Sequence, residues 1–256
     1  MTALADILGA AVRRPGGLTA ELPAGWMQGR TAYGGLSTVL ALEAARATAD
    51  DLPPLRTAQV RFVGPLAGNI TVSAESLRRG RNAAFVRADV RGEAGLWLTA
   101  TFIFMGAQAS AIDHVALPAP LALPDERAPR IFGPEGLFVR NFEFLVAPKD
   151  AIKGSDHIRW ARLADRTGLD AMTELVAIAD VLPPGALGLA KTFGPVSSMT
   201  WLVNLLTPAP ATRDGWWLLR STADYARDGC SSQTMAIWNA DGVPVASGMQ
   251  SVAMFI

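Results

Sequence analysis

The chain has 256 residues, half of them hydrophobic, and 23 basic residues against 23 acidic ones, enough for one large domain or two of ordinary size with a substantial core. No basic block or basic–aromatic patch offers nucleic acid an electrostatic footing, and no apolar run approaches the length of a membrane-spanning helix. One cysteine, Cys230, two histidines and no HExxH motif exclude a disulfide framework and a convincing Cys/His metal site. The expectation is a cytoplasmic protein without cofactor, nucleic-acid or membrane partner.

In chain order, residues 1–14 read as a short amphipathic helix without the basic n-region of a signal peptide. Residues 18–28 form a candidate edge strand interrupted by Pro23. The stretch from Gly29 to Gly35 then leads into a helix over about 36–49, with Leu36, Val39, Leu40, Ala44 and Ala47 at helical spacing. Small residues dominate this helix, so a sheet can wrap closely around it, and the pair Gly34-Gly35 suits a tight turn or a close approach. Strand-like runs follow at 56–63, 69–77, 83–91 and 96–105. In the second and third, apolar residues (Ile70, Val72, Ala74; Val86, Ala88, Val90) alternate with polar ones, giving one packed and one wet face. A stretch over 108–134, rich in alanine and proline, is the expected linker between a domain at 1–107 and another at 135–256.

The second unit repeats the plan. Strands are expected at 136–145 and 157–164, then a helix over about 169–181, with Thr167 or Asp170 as its cap. Pro183-Pro184 stops that helix, as Pro53-Pro54 follows the first, and a loop over 185–196 leads to strands at 199–206, 216–225, 231–240 and 244–255. The parallel extends to spacing: Gly80 to Ala100 is twenty residues and Gly229 to Gly248 nineteen, as in a duplicated domain. At one place the copies differ in kind. Where the first has Phe102, the second has Gln250, an amide in an otherwise apolar strand that must find partners if buried.

A small-residue helix wrapped by an antiparallel sheet, occurring twice, resembles the double hotdog fold, an α+β architecture. The details resemble the acyl-CoA thioesterase II-like, TesB-type family. The resemblance rests on Tyr33-Gly34-Gly35, the run from Arg61 to Leu66, Leu77-Arg78-Arg79-Gly80-Arg81, Ser198-Met199-Thr200-Trp201, the run from Gly215 to Leu219 and the run from Asp241 to Gln250. It implies an acyl-CoA or similar thioester as substrate, no cofactor, and a homo-dimer or tetramer as an admissible assembly.

The resemblance further implies a hydrolytic water positioned by an acid, a hydroxyl and an amide, here Asp180 late on the second helix, Ser198 and Gln250. Thr200 competes with Ser198 for the hydroxyl role. The family's His-Asp pair after the hydroxyl is absent, Thr200 and Trp201 standing there instead, so a binding protein that does not turn the thioester over is the alternative. Backbone N–H groups at Gly34 and Gly35 are candidate oxyanion donors, and the arginines Arg78, Arg79 and Arg81 and the ring of Trp201 are candidate substrate contacts. Each has a plainer reading: a carboxylate at a helix end, a loop-to-strand serine, a core amide, a solvated arginine turn, a core tryptophan. The first copy lacks the acid–hydroxyl–amide set, so one site per chain is expected.

Overall fold

The alternating runs are strands in the computed structural model of the chain, which describes residues 2–122, 124–125, 127–146, 152–192 and 194–256, with Ile152 and Lys153 as backbone only. The expected N-terminal helix at residue 1, linker at 123 and 126 and loop at 193 reach outside the described residues. In the first half, α1 (Leu4–Ala10) precedes the short edge strands β1 (Val12–Arg14) and β2 (Gly17–Glu21), the hairpin β3 (Met27–Gln28) and β4 (Thr31–Ala32), then α2 (Gly34–Arg46). The meander β5 (Leu55–Phe62), β6 (Asn69–Arg79), β7 (Ala83–Gly92) and β8 (Gly95–Met105) follows. The second half holds β9 (Arg130–Phe132), β10 (Phe142–Leu145), β11 (Ile152–Lys153), β12 (Asp156–Leu163), α3 (Ala171–Ile178), β13 (Val196–Leu205), β14 (Trp217–Arg227), β15 (Cys230–Asn239) and β16 (Pro244–Met254).

Local chemistry moves several boundaries from their expected places. Pro23 cannot continue a ladder, so the strand expected over 18–28 stops at Glu21, and a 3-10 turn at Ala24–Trp26 redirects the chain into the β3–β4 hairpin, which Gly29 turns at φ 65°. Within 136–145 only Phe142–Leu145 is strand; a 3-10 turn at Phe138–Asn141 swings Phe138 onto the ring of Tyr33, 4.4 Å between centroids. Helix α3 is shorter than its apolar pattern suggests. Asp170 caps its start, with Oδ1 accepting from the N–H groups of Met172 and Thr173. At its far end the Val181 N–H bonds to the Ile178 carbonyl, which closes a tight turn ahead of Pro183. Asp180 therefore lies in that turn, two residues beyond the helix.

The sheet has the order β1-β2-β6-β7-β8-β5-β13-β16-β15-β14-β12-β10-β9. It is near-symmetric about the antiparallel seam of β5 and β13, where Val60 lies opposite Trp201. Irregularities recur at matching points of the two copies, after Ser76 and Ala223 and after Val90 and Ile237. On the inner face sit α2 and α3, packed against one another in a core that runs through both halves. Helix α2 is buried nearly all round, which its alanines, glycines and back-bonded hydroxyls allow: Ser37 Oγ donates to the Tyr33 carbonyl and Thr38 Oγ1 to that of Gly34. Among the described residues no helix is long and apolar enough to cross a membrane.

The alanine/proline-rich stretch packs against the outer face of the second half. There Trp160, Trp216 and Trp238 form a second apolar cluster, on which Leu117, Ala119 and Leu121 lie. The Trp238 indole N–H donates to the Leu117 carbonyl at 2.8 Å and that of Trp160 to the Ala122 carbonyl at 3.3 Å. The same segment ends in β9, which pairs with β10. The matching outer face of the first half carries Thr71, Ser73, Glu75, Arg87, Asp89 and Arg91 and needs no such cover.

One end of the helix pair is clasped by ions. Arg46, in the last turn of α2, reaches Asp170 at 3.1 Å, Thr173 at 2.8 Å and Glu43 at 3.2 Å. Because Asp170 both caps α3 and holds this clasp, the substitution Asp170→Ala is expected to lower folding stability by about 1–2 kcal/mol, read by chemical denaturation at neutral pH.

Candidate active site

The opposite end of the helix pair is built for close approach. Clasped at the C-terminus of α2 and the N-terminus of α3, the helices run antiparallel, so α2 begins where α3 ends. At Gly34 a side chain would collide with Asp180 Oδ2 and the ring of Phe62; at Gly35 it would collide with the Ala177 carbonyl and the Tyr33 ring. Only glycine lets the first turn of α2 lie against the turn that carries Asp180. Tyr33 pins the contact, its buried hydroxyl donating to the Ala177 carbonyl at 2.7 Å, and burial raises that phenol well above its usual range. The first turn of α2, whose N–H groups have no intrahelical acceptor, thus comes close to the Asp180 carboxylate at Gly34, at the helix end whose dipole favours negative charge.

Asp180 is held from behind by Gln250 of β16, whose Nε2 donates to Oδ1 at 2.8 Å. Burial pushes the carboxyl up to about 7, the Gln250 hydrogen bond partly offsetting it. Gln250 is itself held. Its Oε1 accepts from Gln233 Nε2 at 2.7 Å, and Gln233 Oε1 accepts the Gly185 backbone N–H at 3.0 Å. Both amides are enclosed, Gln233 completely. Gln233 was not singled out from the sequence, though a signal is present: Ser231, Gln233, Met235 and Ile237 occupy the inward positions of an alternating strand, and an inward amide needs a partner.

Ser198 reaches the same cleft through a β-bulge. Ser198 lies opposite Val252 and Trp201 opposite Gln250, but Met199 and Thr200 together oppose Ser251 alone. Thr200, next to Trp201, faces the other way by plain alternation, and the extra residue brings Ser198 back to the face shared by Trp201 and Gln250. Ser198 and Asp180 line one cleft of about 750 Å³, between the β3–β4 hairpin with Arg30, the β5–β8 end with Phe62, Leu66, Trp97 and Leu98, and Pro195–Ser198 with Phe255.

The remaining expected contacts stand elsewhere. Thr200 is exposed on the outer face, which removes it from the hydroxyl position of this cleft. Trp201 is 1% exposed and fills the core below Ala179 rather than lining the cleft. The side chains of Arg78, Arg79 and Arg81 surround the β6–β7 turn in solvent, outside the cleft lining, and Arg79 pairs with Asp51 at 2.9 Å. That turn lies at the opposite end of the sheet from Gly34, beside Asp51 after α2, so the length of β6 separates it from the carboxylate.

The pseudo-symmetric counterpart of this site has different contents. Val86 faces Phe102 where Gln233 faces Gln250, and Ala58 faces Phe102 where Trp201 faces Gln250. At the counterpart helix end stands the Arg46–Asp170–Glu43 clasp.

Comparisons with known proteins agree with the architecture. Residues 22–105 match the family model described as the acyl-CoA thioesterase N-terminal domain, and residues 111–254 the one described as the acyl-CoA thioesterase C-terminal domain. A conserved protein of unknown function with a hot dog fold from Alicyclobacillus acidocaldarius is 20% identical over 100% of this chain and 99% of its own, at TM-score 0.86. A candidate thioesterase II from Thermobifida fusca is 22% identical over 99% and 97%, at TM-score 0.84. The acyl-CoA thioesterase II TesB2 from Mycobacterium marinum is 17% identical over 98% and 96%, at TM-score 0.74. At such identities the likeness establishes the fold, a double hotdog. No curated protein matches the sequence.

The Asp180 carboxyl also sets a dependence of stability on pH. It titrates near 7 when folded and near 3.9 when unfolded, so between those values the native state keeps a proton that the unfolded chain has shed. Stability contributed by Asp180 is then full below about pH 4 and lost as pH rises through 7. Asp180→Asn keeps the shape and the acceptor for Gln250 without that ionisation. It is expected to be more stable than wild type at pH 8 by roughly 2–4 kcal/mol, with the difference vanishing near pH 4 in denaturant titrations.

Proposed function

The chain belongs to the acyl-CoA thioesterase family, with both of its domains present, and we propose that it hydrolyses an acyl thioester with a water held at Asp180. The observation that carries this reading is the half-buried Asp180, held by the enclosed Gln250 and lining a cleft beside the first turn of α2. Thioester hydrolysis needs an acceptor for the water's proton, a fixed attack direction, and donors for the oxygen that becomes negative. Asp180 Oδ2, on the side of Gly34, is the acceptor. Gln250 holds Oδ1 and so fixes the plane of the carboxylate. Ser198 Oγ is a further partner for the water from the bulged edge of the cleft.

In this reading the thioester carbonyl points at the N–H groups of Gly34 and Gly35. The water gives its proton to Asp180 and its oxygen to the carbonyl carbon. The tetrahedral intermediate then expels the sulfur, which leaves as the thiol with the proton from Asp180. The walls of Phe62, Leu66, Trp97 and Leu98 suit the apolar acyl portion. Of the polar groups nearby, the Thr31 hydroxyl accepts from the Leu66 N–H, and Ser37 is bonded within its helix.

Thiol release from a panel of short, medium, long and aromatic acyl-CoAs tests the reading. Wild type is expected to turn over at least one class, and Asp180→Asn to lose roughly 10²–10⁴-fold in kcat. Retained tight binding without turnover in wild type would make the chain a thioester-binding protein instead. Because the base must be ionised, kcat/KM is expected to rise with pH through about 7 and then level. Ser198→Ala is expected to lower kcat about tenfold, whereas Thr200→Ala, on the outer face, should stay within about twofold of wild type. Equal losses at the two positions would remove Ser198 from the mechanism.

A further inference from the structure

Two buried amides in one sheet interior call for a reason, because the first copy fills the same places with Val86 and Phe102 and is fully packed. The reason lies in direction. A backbone N–H can only donate, so Gly185 fixes which end of Gln233 faces it: the carbonyl oxygen, at 3.0 Å. The Gln233 NH₂ is then left for Gln250 Oε1 at 2.7 Å, and the Gln250 NH₂ for Asp180 Oδ1 at 2.8 Å. Each side-chain amide has one accepting and one donating end, so the polarity set at Gly185 is passed along without choice. Gly185 is itself closely packed, with no room for a side chain among the backbones of Ser155, Ser221 and Ala223.

We propose that Gln233 is a positioning residue that, anchored on Gly185, locks Gln250 with its NH₂ toward Asp180. Turned the other way, Gln250 would present its carbonyl oxygen to the carboxylate, an arrangement that only a protonated Asp180 could satisfy. The relay excludes it and so favours the ionised carboxylate that a base requires. This role rests on the hydrolase reading for its use, but its physical content, the orientation of Gln250, does not.

Few other charges compete for Asp180. The chain before α2 brings the buried Tyr33 phenol, and the β3–β4 hairpin brings Arg30 on the cleft wall. The one acid on α3, Glu174, is held by Arg166 and the Trp217 indole. From the strands, Phe62, Ser197, Ser198 and Gln250 approach, none of them charged.

The test uses the full chain as wild type, Gln233→Met, Gln250→Met and the double variant. Methionine keeps length and volume without a donor, and the Gly185 N–H keeps its second acceptor, Ser221 Oγ at 3.2 Å, so the variant is expected to fold. The Asp180 carboxyl is titrated by carbon-13 NMR, which needs no substrate. In Gln233→Met its midpoint is expected to move up by about one pH unit, toward that of Gln250→Met, and the double variant should match Gln250→Met alone. In hydrolysis, kcat of Gln233→Met should fall roughly tenfold with KM within about twofold, its acid limb following the carboxyl midpoint.

An unmoved midpoint, or effects of the two substitutions that simply add, would overturn the relay. Should Gln233→Met unfold, Gln233→Glu decides. A buried, protonated glutamic acid offers the same acceptor and donor, so the Asp180 midpoint should stay near its wild-type value, and a shift as large as in Gln250→Met would overturn the proposal. Wild type that releases no thiol would sink the hydrolase reading while the titration still decides the relay.

Discussion

Everything at the Asp180 end of this molecule depends on how near two helices come to one another. Where α2 begins, Gly34 and Gly35 leave no side chain between the helix and the Ala177–Asp180 turn. One methyl group at either position would push the turn away and part the carboxylate from the helix dipole and its free N–H groups. Such contacts cannot be relaxed locally. The Tyr33 hydroxyl ties the two elements together and its ring is stacked against Phe138, so a displacement would pass straight into the aromatic core.

The sheet supplies the rigidity that makes such closeness sustainable. Pairing of β5 with β13 makes one continuous ladder of the two copies, and the helices have no freedom to slide when their wrapping strands are hydrogen-bonded edge to edge. On the outer surface the second half would present three tryptophans to water. The alanine/proline stretch packs on their cluster, with proline limiting the backbone freedom lost on ordering and the indole N–H groups of Trp160 and Trp238 finding main-chain carbonyls. A segment that composition marks as a connector is thereby part of the folded body.

The sequence discloses what depends on period and composition, and conceals what depends on register. Alternation in 69–77 and 83–91, and the small-residue helix after Tyr33, are local facts, and the strands and helix lie where they indicate, within a few residues. Gln250 stands out because its neighbours are apolar. The choice between Ser198 and Thr200 is different: it turns on one extra residue between β13 and β16, visible only once Trp201 is set opposite Gln250. Gln233 is of the same kind, an inward amide whose partner lies seventeen positions away on another strand. The arginines Arg78, Arg79 and Arg81 show the converse. They are conspicuous in the sequence, yet the length of β6 carries them away from the cleft.

The joining of both copies in one chain has a consequence for how such a site can be maintained. In a dimer of identical subunits every feature occurs twice, so each destabilising arrangement (a half-buried carboxylate, two enclosed amides) must be tolerated at both ends. A tandem chain is released from that identity. Here one end of the helix pair carries the groups that burden folding, while the other carries an ion clasp, and Val86 and Phe102 pack where the amides would be. Two copies in one chain let one act as ballast for the other, so the burden of the enclosed polar groups is borne once by a body twice as large.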